Sequence, residues 1–365
     1  MRSPDHSPWI VLCETERRRW GGDLRRAAIF HELALATGAL EVQGWGHEAV
    51  RGAIRRVAGP PVPWRRRPAV ASSEFLSKGA VVQVRRWGRA AILDVHDHPI
   101  AQAEALGHEL TPDDRSALLD RLERNLGLFP LYAAPSATFA DLAGLDPGRT
   151  IVAPNGTDTT RVTPGPPPRI PAVGMVSGAA PGRGIESLIE AVRRLRSTMP
   201  DLRLLLWLAG GDEVGQSYLD QLLASHVNEP WIEFGSVQYG ALSDALRRAT
   251  VLVVPHPANA YMDVAVPVKL LDSMAAGRPV VVTPRTEMRR IVETAGGGII
   301  AAGDSAGAIA AAILPILEDP ALASRLGANA RAAAERDYDW AVIGRRLASE
   351  VIDRFRGAQQ VRANA

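Results

Sequence analysis

Cysteine is almost absent from this chain: Cys13 is the only one in 365 residues. A lone cysteine excludes an internal disulfide framework and a multi-cysteine zinc site. Its place in the apolar run WIVLC reads as a buried strand position rather than a reactive thiol. Lysine is nearly as scarce, with Lys78 and Lys269 the only two, so arginine is the ordinary cation here. No apolar run reaches the roughly 18–20 residues that a bilayer span needs. The first residues, MRSPDHSPWIVLCETERRRW, do not have the layout of a signal peptide, because the apolar run is short and acids follow it. A cytoplasmic location is the expectation.

The length exceeds what one core usually serves and suits two domains. With 46% hydrophobic and 22% charged residues, the chain has the composition of a globular protein with a sizeable core. Net charge is +2, but residues 1–93 hold 16 Lys+Arg against 8 Asp+Glu, with clusters at Arg17–Arg19, Arg65–Arg67 and Arg85, Arg86 and Arg89. Such a region suits anionic lipid headgroups or a phosphorylated acceptor, and a solvated arginine-rich surface accounts for it equally. Peripheral membrane contact is one expectation; a nucleic-acid partner is not.

Apolar runs alternate with amphipathic stretches along the whole chain. Strands are predicted at WIVLC, GAVVQV, AAILDV, LYAAPS and TIVAPNG, with helices at GGDLRRAAIFHELALATG, DDRSALLDRLERNLGLF and SATFADLAG. Five prolines then fall in the nine residues TPGPPPRIP, which forbids helix and ladder pairing and marks an extended linker. Beyond it the alternation restarts, from AVGMVS to PVVVT, and closes in alanine-rich helices and a last helix from about Trp340 to Arg356. The expected architecture is α/β, with two doubly wound domains facing a central cleft. The expected boundaries are 1–163, a linker at 164–171, 172–338, and a C-terminal helix over 339–365 that crosses back to the first domain.

Within VPVKLLDSMAAGRPVVVT, Lys269 and Asp272 interrupt an apolar helix. Pro267 suits a first helical position. A cation in the first turn opposes the helix dipole, so Lys269 asks for an anion. An i,i+3 ion pair with Asp272 is the alternative, worth only a few tenths of a kcal/mol. The loop SGAAPGRG places Gly178, Gly182 and Gly184 beside Arg183, a combination suited to close backbone approach and anion contact at a helix start, or to a surface turn. The strand end ILDVHDHP offers His96, Asp97 and His98. His96 and His98 share one strand face and Asp97 the other, which argues against a metal triad. DYD at Asp337–Asp339 sits at a helix start, where acids are ordinary, and is not read as a metal site.

The ordered series PNGTD, GMVSGAAPGRGIESLIEAVRRL, LLLWLAGGD, IEFGSV, LSDALRRATVLVVP, VPVKLLDSMAAGRPVVVT and GGGIIAAGDSAGAIAAAI resembles the second domain of the retaining, GT-B-fold glycosyltransferases of group 1. The resemblance implies transfer of a sugar from a nucleotide-diphosphate-sugar to an acceptor hydroxyl, without metal or other cofactor. It implies catalytic roles for Arg183 and Lys269 on the donor phosphates and for His96 on the donor sugar. Donor contacts would come from Gly21, Gly22, Gly184, Phe234, Gly235, Asp263, Val264, Ala265 and Val266. Asp272, at a position where the family has glutamate, would take the ribose. Asp97 and His98 would lie on the acceptor side, and His256 and Asn259 are weaker candidates for reading the sugar. The acceptor is a glycan, a lipid-linked or a small molecule. A catalytically degenerate binding module and a nucleotide-sugar epimerase are the alternatives.

Overall fold

The computed structural model describes residues 9–13, 22–43, 69–72, 89–105, 107, 109–211 and 213–363. The expected strand GAVVQV, Gly21 and most of the arginine clusters lie outside them. The chain folds into two compact units. One holds residues 1–100, 110–154 and 340–365, and the other 101–109 and 155–339. The unit boundary thus falls at Pro154 and Asn155, and the proline-rich stretch belongs to the second unit.

In the first unit, six parallel strands are described. They are β1 (Trp9–Cys13), β2 (Leu40–Gln43), β3 (Ala69–Ser72), β4 (Arg89–Asp94), β5 (Leu131–Ala134) and β6 (Thr150–Val152), in the spatial order β2-β1-β3-β4-β5-β6. Helix α1 (Gly22–Thr37) opens at Gly22, and Gly38 ends it in the left-handed conformation. The short helix α2 (Pro99–Ala105) is divided between the two units. Helix α3 (Pro112–Leu128) starts as its sequence dictates: the Thr111 hydroxyl accepts the Asp114 N–H at 3.1 Å, Pro112 takes the first position and two acids fill the first turn. Helix α4 (Ala137–Leu142) leads to β6. Strands β2 and β3 are two that apolar patterning did not predict: LEVQ and AVAS are four residues each and carry little hydrophobic signal.

The second unit is a doubly wound domain. Its strands are β7 (Ala172–Gly178), β8 (Arg203–Ala209), β9 (Ile232–Gly235), β10 (Val251–Val254), β11 (Val280–Val282) and β12 (Gly298–Ile300). All are parallel, in the order β12-β11-β10-β7-β8-β9. The helices are α5 (Ile185–Leu195), α6 (Glu213–Ser225), α7 (Leu242–Arg247), α8 (Ala260–Val264), α9 (Val268–Ala275), α10 (Thr286–Ala295), α11 (Ala306–Glu318) and α12 (Pro320–Ala333). The last helix, α13 (Trp340–Ala363), belongs to the first unit.

Strand β10 shows why continuous valine runs appear in this sequence. Val251 and Val253 join one core cluster and Leu252 and Val254 the other, so both faces of the sheet are covered. Helix α9 buries Leu270, Leu271 and Met274 in one cluster; α5 buries Ile185, Leu188 and Ile189 in the other. At about 1.5–3 kcal/mol per fully buried side chain, three such residues hold α9 in place far more strongly than the fraction of a kcal/mol that a cation in its first turn opposes. Its end is fixed by Gly277 at φ +66°, with Gly277 N–H donating to Met274 O at 3.0 Å and Ala276 N–H to Asp272 O at 2.9 Å. The buried Arg278 that follows donates to the carbonyl oxygens of Pro166 and Arg247, at 2.6 and 2.7 Å, fastening the proline-rich stretch within this unit.

Among the described residues no single helix is long and apolar enough to cross a membrane; one sharply bent helix pair, 306–318 with 320–338, passes by composition. Its residues Ile309, Ile313, Leu326 and Ala330 are core.

Candidate functional site

The strand order of the second sheet reverses between β7 and β10, and in open parallel sheets ligands bind outside the carboxyl ends of the strands at such a point. Ser177 and Gly178 end β7, and the loop over 179–184 carries Arg183 into α5. Pro255 and His256 follow β10. The two loops are fitted to each other at Gly184, which has φ +75° and would place a Cβ against the Pro255 carbonyl oxygen. Only glycine satisfies both constraints. Helix α5 has no side-chain cap at Gly184, and α9 has none at Pro267, so both helix starts present backbone N–H groups without a capping side chain.

Lys269 is half-buried, and its Nζ donates to Ser177 Oγ at 2.9 Å. It does not pair with Asp272, so the intrahelical ion pair is not what the two charges form. Burial, and then the Arg183 guanidinium, hold the Lys269 pKa well below the ordinary lysine range. Arg183 thus shares this crevice with Lys269 and opposes its charge. Asp272 is buried and accepts from Thr157 Oγ1 at 2.7 Å. Asn155 Nδ2 donates to Val266 O at 2.8 Å. The PNGTD segment therefore braces both the start and the middle of the stretch that carries Lys269.

The stretch HPANAYMD is not an open loop. It contains α8, a single turn capped by Asn259, whose side chain accepts the Met262 N–H at 2.8 Å, and Met262 is fully buried. The cap uses the Asn259 oxygen. Asp263 on the same turn pairs with Arg285 Nη1 at 3.0 Å. Arg285 sits just beyond β11 and is 7% exposed; nothing in the sequence near it formed a motif, and sequence reading missed it. Val264 and Ala265 are half-buried beside it, and Val266 is buried. Phe234 is half-buried, packs against the core and stacks on His226 with ring centroids 6.3 Å apart, while Gly235 is exposed at the end of β9.

His256 is 1% exposed, and neither ring nitrogen has a hydrogen-bond partner among the described residues. Burial, then Lys269, Arg183 and Arg285, keep it neutral, with its pKa well below the ordinary histidine value. Its backbone carbonyl accepts from Thr283 Oγ1 at 2.5 Å, which fixes the loop to the end of β11.

In the first unit, Asp94 ends β4 fully buried and is gripped by Arg26 of α1, whose Nε and Nη2 lie 2.8–2.9 Å from its carboxylate oxygens. Arg26 Nη1 also donates to Ala153 O at 2.7 Å. His96 Nδ1 lies 3.0 Å from Asp94 Oδ2. Burial opposes protonation of His96, yet the carboxylates of Asp94 and Asp97 outweigh it and raise its pKa above the usual value. Burial likewise opposes ionisation of Asp94, and the charges of Arg26 and His96 win, holding it below the usual carboxylate range. Asp97 and His98 are half-buried in the segment before α2. Gly22 opens α1.

The acids of DYD have structural partners: Asp339 Oδ2 accepts from Thr159 N and Oγ1 at 3.1 and 2.5 Å, and Asp337 pairs with Arg336 at 2.6 Å. Among the described residues no group of three His, Cys, Asp or Glu is placed to hold a metal ion.

Residues 168–319 match the family described as Glycosyl transferases group 1. Phosphatidyl-myo-inositol mannosyltransferase of Mycolicibacterium smegmatis is 30% identical over 168 residues, which cover 46% of this chain and 41% of that protein, so the match spans less than half of the relative's length. Among solved structures, sucrose-phosphate synthase from Thermosynechococcus elongatus superposes with a TM-score of 0.70 at 17% identity, over 98% of this chain and 100% of that one. Anabaena HepE, solved in complex with UDP-glucose, gives 0.68 at 17% identity over 95% and 100%. The sequence match lies on the unit that holds Arg183, His256, Lys269 and Asp272, and the structural matches extend the likeness of fold to the whole chain. Residues 168–319 thus resemble the group 1 glycosyl transferases in sequence, and the chain has the GT-B fold.

Proposed function

We propose that this protein transfers a sugar from a nucleotide-diphosphate-sugar to an acceptor hydroxyl with retention of the anomeric configuration. One observation carries the reading: the switch point of the second sheet, inside the stretch that matches the family, gathers Arg183 and Lys269 beside two helix starts without side-chain caps. That is a site for a diphosphate. The complex of HepE with UDP-glucose supports the donor class.

In this reading the bond from the anomeric carbon to the phosphate oxygen breaks through an oxocarbenium-like transition state. The electron pair leaves with the nucleoside diphosphate. Arg183, Lys269 and the backbone N–H groups at the starts of α5 and α9 stabilise the charge that develops there, while the acceptor oxygen bonds to the anomeric carbon on the face the phosphate leaves and gives its proton to the leaving phosphate. Gly184 allows the close backbone approach. Val264–Val266 supply backbone near the sugar, with Asp263 held at its edge by Arg285. Asp272 takes the ribose through its second oxygen or a bridging water, because Thr157 already holds Oδ1. The base lies near Phe234 and Gly235. His96 keeps the sugar-contacting role that the resemblance implies, as a charged imidazole, with Asp97 and His98 on the acceptor side and Gly22, with Gly21, at the donor phosphates. No cofactor is required.

A panel of nucleotide-sugars, followed by thermal shift and by release of nucleoside diphosphate with candidate acceptors, tests the proposal. A stabilising donor that is turned over supports it. Binding without turnover under every acceptor condition favours a non-catalytic module, and interconversion of donor sugars favours an epimerase.

A further inference from the structure

The ring of His256 is the least explained polar group in the second unit. It is 1% exposed, both nitrogens lack a partner among the described residues, and a buried donor or acceptor left unmatched costs its full desolvation. A structural histidine would be expected to bond a carbonyl or a hydroxyl. This one is faced instead by three cations from three separate elements: Arg183 from the loop after β7, Lys269 from the first turn of α9, and Arg285 from the end of β11. Two carboxylates on these elements have partners of their own: Asp263 pairs with Arg285 at 3.0 Å, and Asp304 accepts the Ala258 N–H at 2.8 Å two residues along the same loop. Arg285 itself is 7% exposed, and its Nε has no partner among the described residues.

We propose that His256 and Arg285 complete the phosphate site of this unit: Arg285 acts as a third cation on the bound diphosphate, and the His256 ring hydrogen-bonds a phosphate oxygen and takes up a proton from solvent as the diphosphate binds. The inference rests on the donor reading given above. A neutral imidazole can offer one N–H to the incoming oxygen. Once a diphosphate enters, its negative charges oppose the cations that keep the ring neutral, and an opposite charge within about 4–6 Å favours the charged form of a histidine. Binding is then coupled to protonation, so the nucleoside diphosphate binds more tightly as pH falls towards 6. The Gly184 turn, packed on the Pro255 carbonyl, keeps the His256 loop against the Arg183 loop. The Arg183 loop and the loop that carries the ring are therefore fitted together before the ligand arrives.

The test is calorimetric titration of UDP, GDP and inorganic pyrophosphate into the full chain near pH 7, in two buffers of different ionisation heat. The wild-type chain should take up protons on binding the nucleoside diphosphate. His256→Gln should abolish that uptake and weaken binding about tenfold, and His256→Asn gives a second, smaller variant should the first not fold. The double variant Arg285→Gln, Asp263→Asn, which leaves no stray carboxylate, should weaken binding about tenfold or more. Uptake that persists unchanged in the histidine variants would assign the proton to Lys269 and overturn the proposal, as would unaltered affinity in the double variant. Either of those results leaves the donor reading standing. A wild-type chain that binds neither the nucleoside diphosphates nor pyrophosphate overturns both.

Discussion

His96 and His256 occupy equivalent places in the two units. Each lies two residues beyond the end of a parallel strand, β4 in one case and β10 in the other, and each is largely removed from water. Their surroundings differ in sign. Asp94, itself held by Arg26, faces His96 and favours the imidazolium. Arg183, Lys269 and Arg285 face His256 and forbid it. Burial alone pushes both pKa values down, so the neighbouring charges decide the outcome in the first unit and reinforce it in the second. The same residue type at the same kind of position can therefore be charged in one half of a chain and neutral in the other.

The largest expected effect is on the charged side of this comparison. Asp94→Asn leaves Arg26 as a buried charge without its carboxylate, and should cost roughly 3–5 kcal/mol of stability. Denaturant unfolding of the full chain would measure it, and the His96 resonance should titrate at lower pH in any folded fraction. A cost below about 1 kcal/mol would show that the Arg26–Asp94 pair is solvated, and the contrast between the histidines would fail.

Smaller and opposite effects are expected from pH. His96 has a raised folded pKa, so its stabilising contribution is complete below the unfolded value of about 6.5 and is lost as pH rises through the folded value. His256 has a lowered folded pKa, so it costs stability as pH falls from about 6.5 through the folded value. Thermal unfolding curves of His96→Gln and His256→Gln, each subtracted from wild type across pH 5–8, cancel the contribution of Lys269. The His96 difference should shrink as pH rises, and the His256 difference should move against the wild type as pH falls, each by at most about 1.4 kcal/mol per pH unit. Difference curves of the same slope would erase the comparison.

The second unit was far more legible in sequence than the first. Strands β8, β10 and β11 are valine- and leucine-rich buried runs that could be read directly, while β9 and β12 are shorter, less buried and were placed by the alternation around them. Lys269 and Asp272 stood out because charge on a buried helix is rare. What stayed hidden was pairing at a distance. Arg26 and Asp94 are 68 positions apart, and Thr157 and Asp272 are 115 apart; no local pattern announces either. Arg285 sits in no motif and matters only because β11 ends beside β10. An acid ending the buried strand AAILD was the one available sign of Asp94. His256 was visible only as a weak candidate, since its importance lies in the three cations that the sheet order assembles around it.

Whether the phosphate site lies in the second unit is tested by nucleoside-diphosphate binding to wild type and to Lys269→Ala, measured by calorimetry beside the thermal midpoint of each. The substitution should weaken UDP or GDP binding roughly tenfold to a hundredfold, the range for a charge-assisted hydrogen bond of about 1.5–3 kcal/mol. The midpoint should hold or rise, because a half-buried cation with a depressed pKa is removed. A variant that loses stability while binding as tightly as wild type would contradict the assignment of the phosphate site to the second unit.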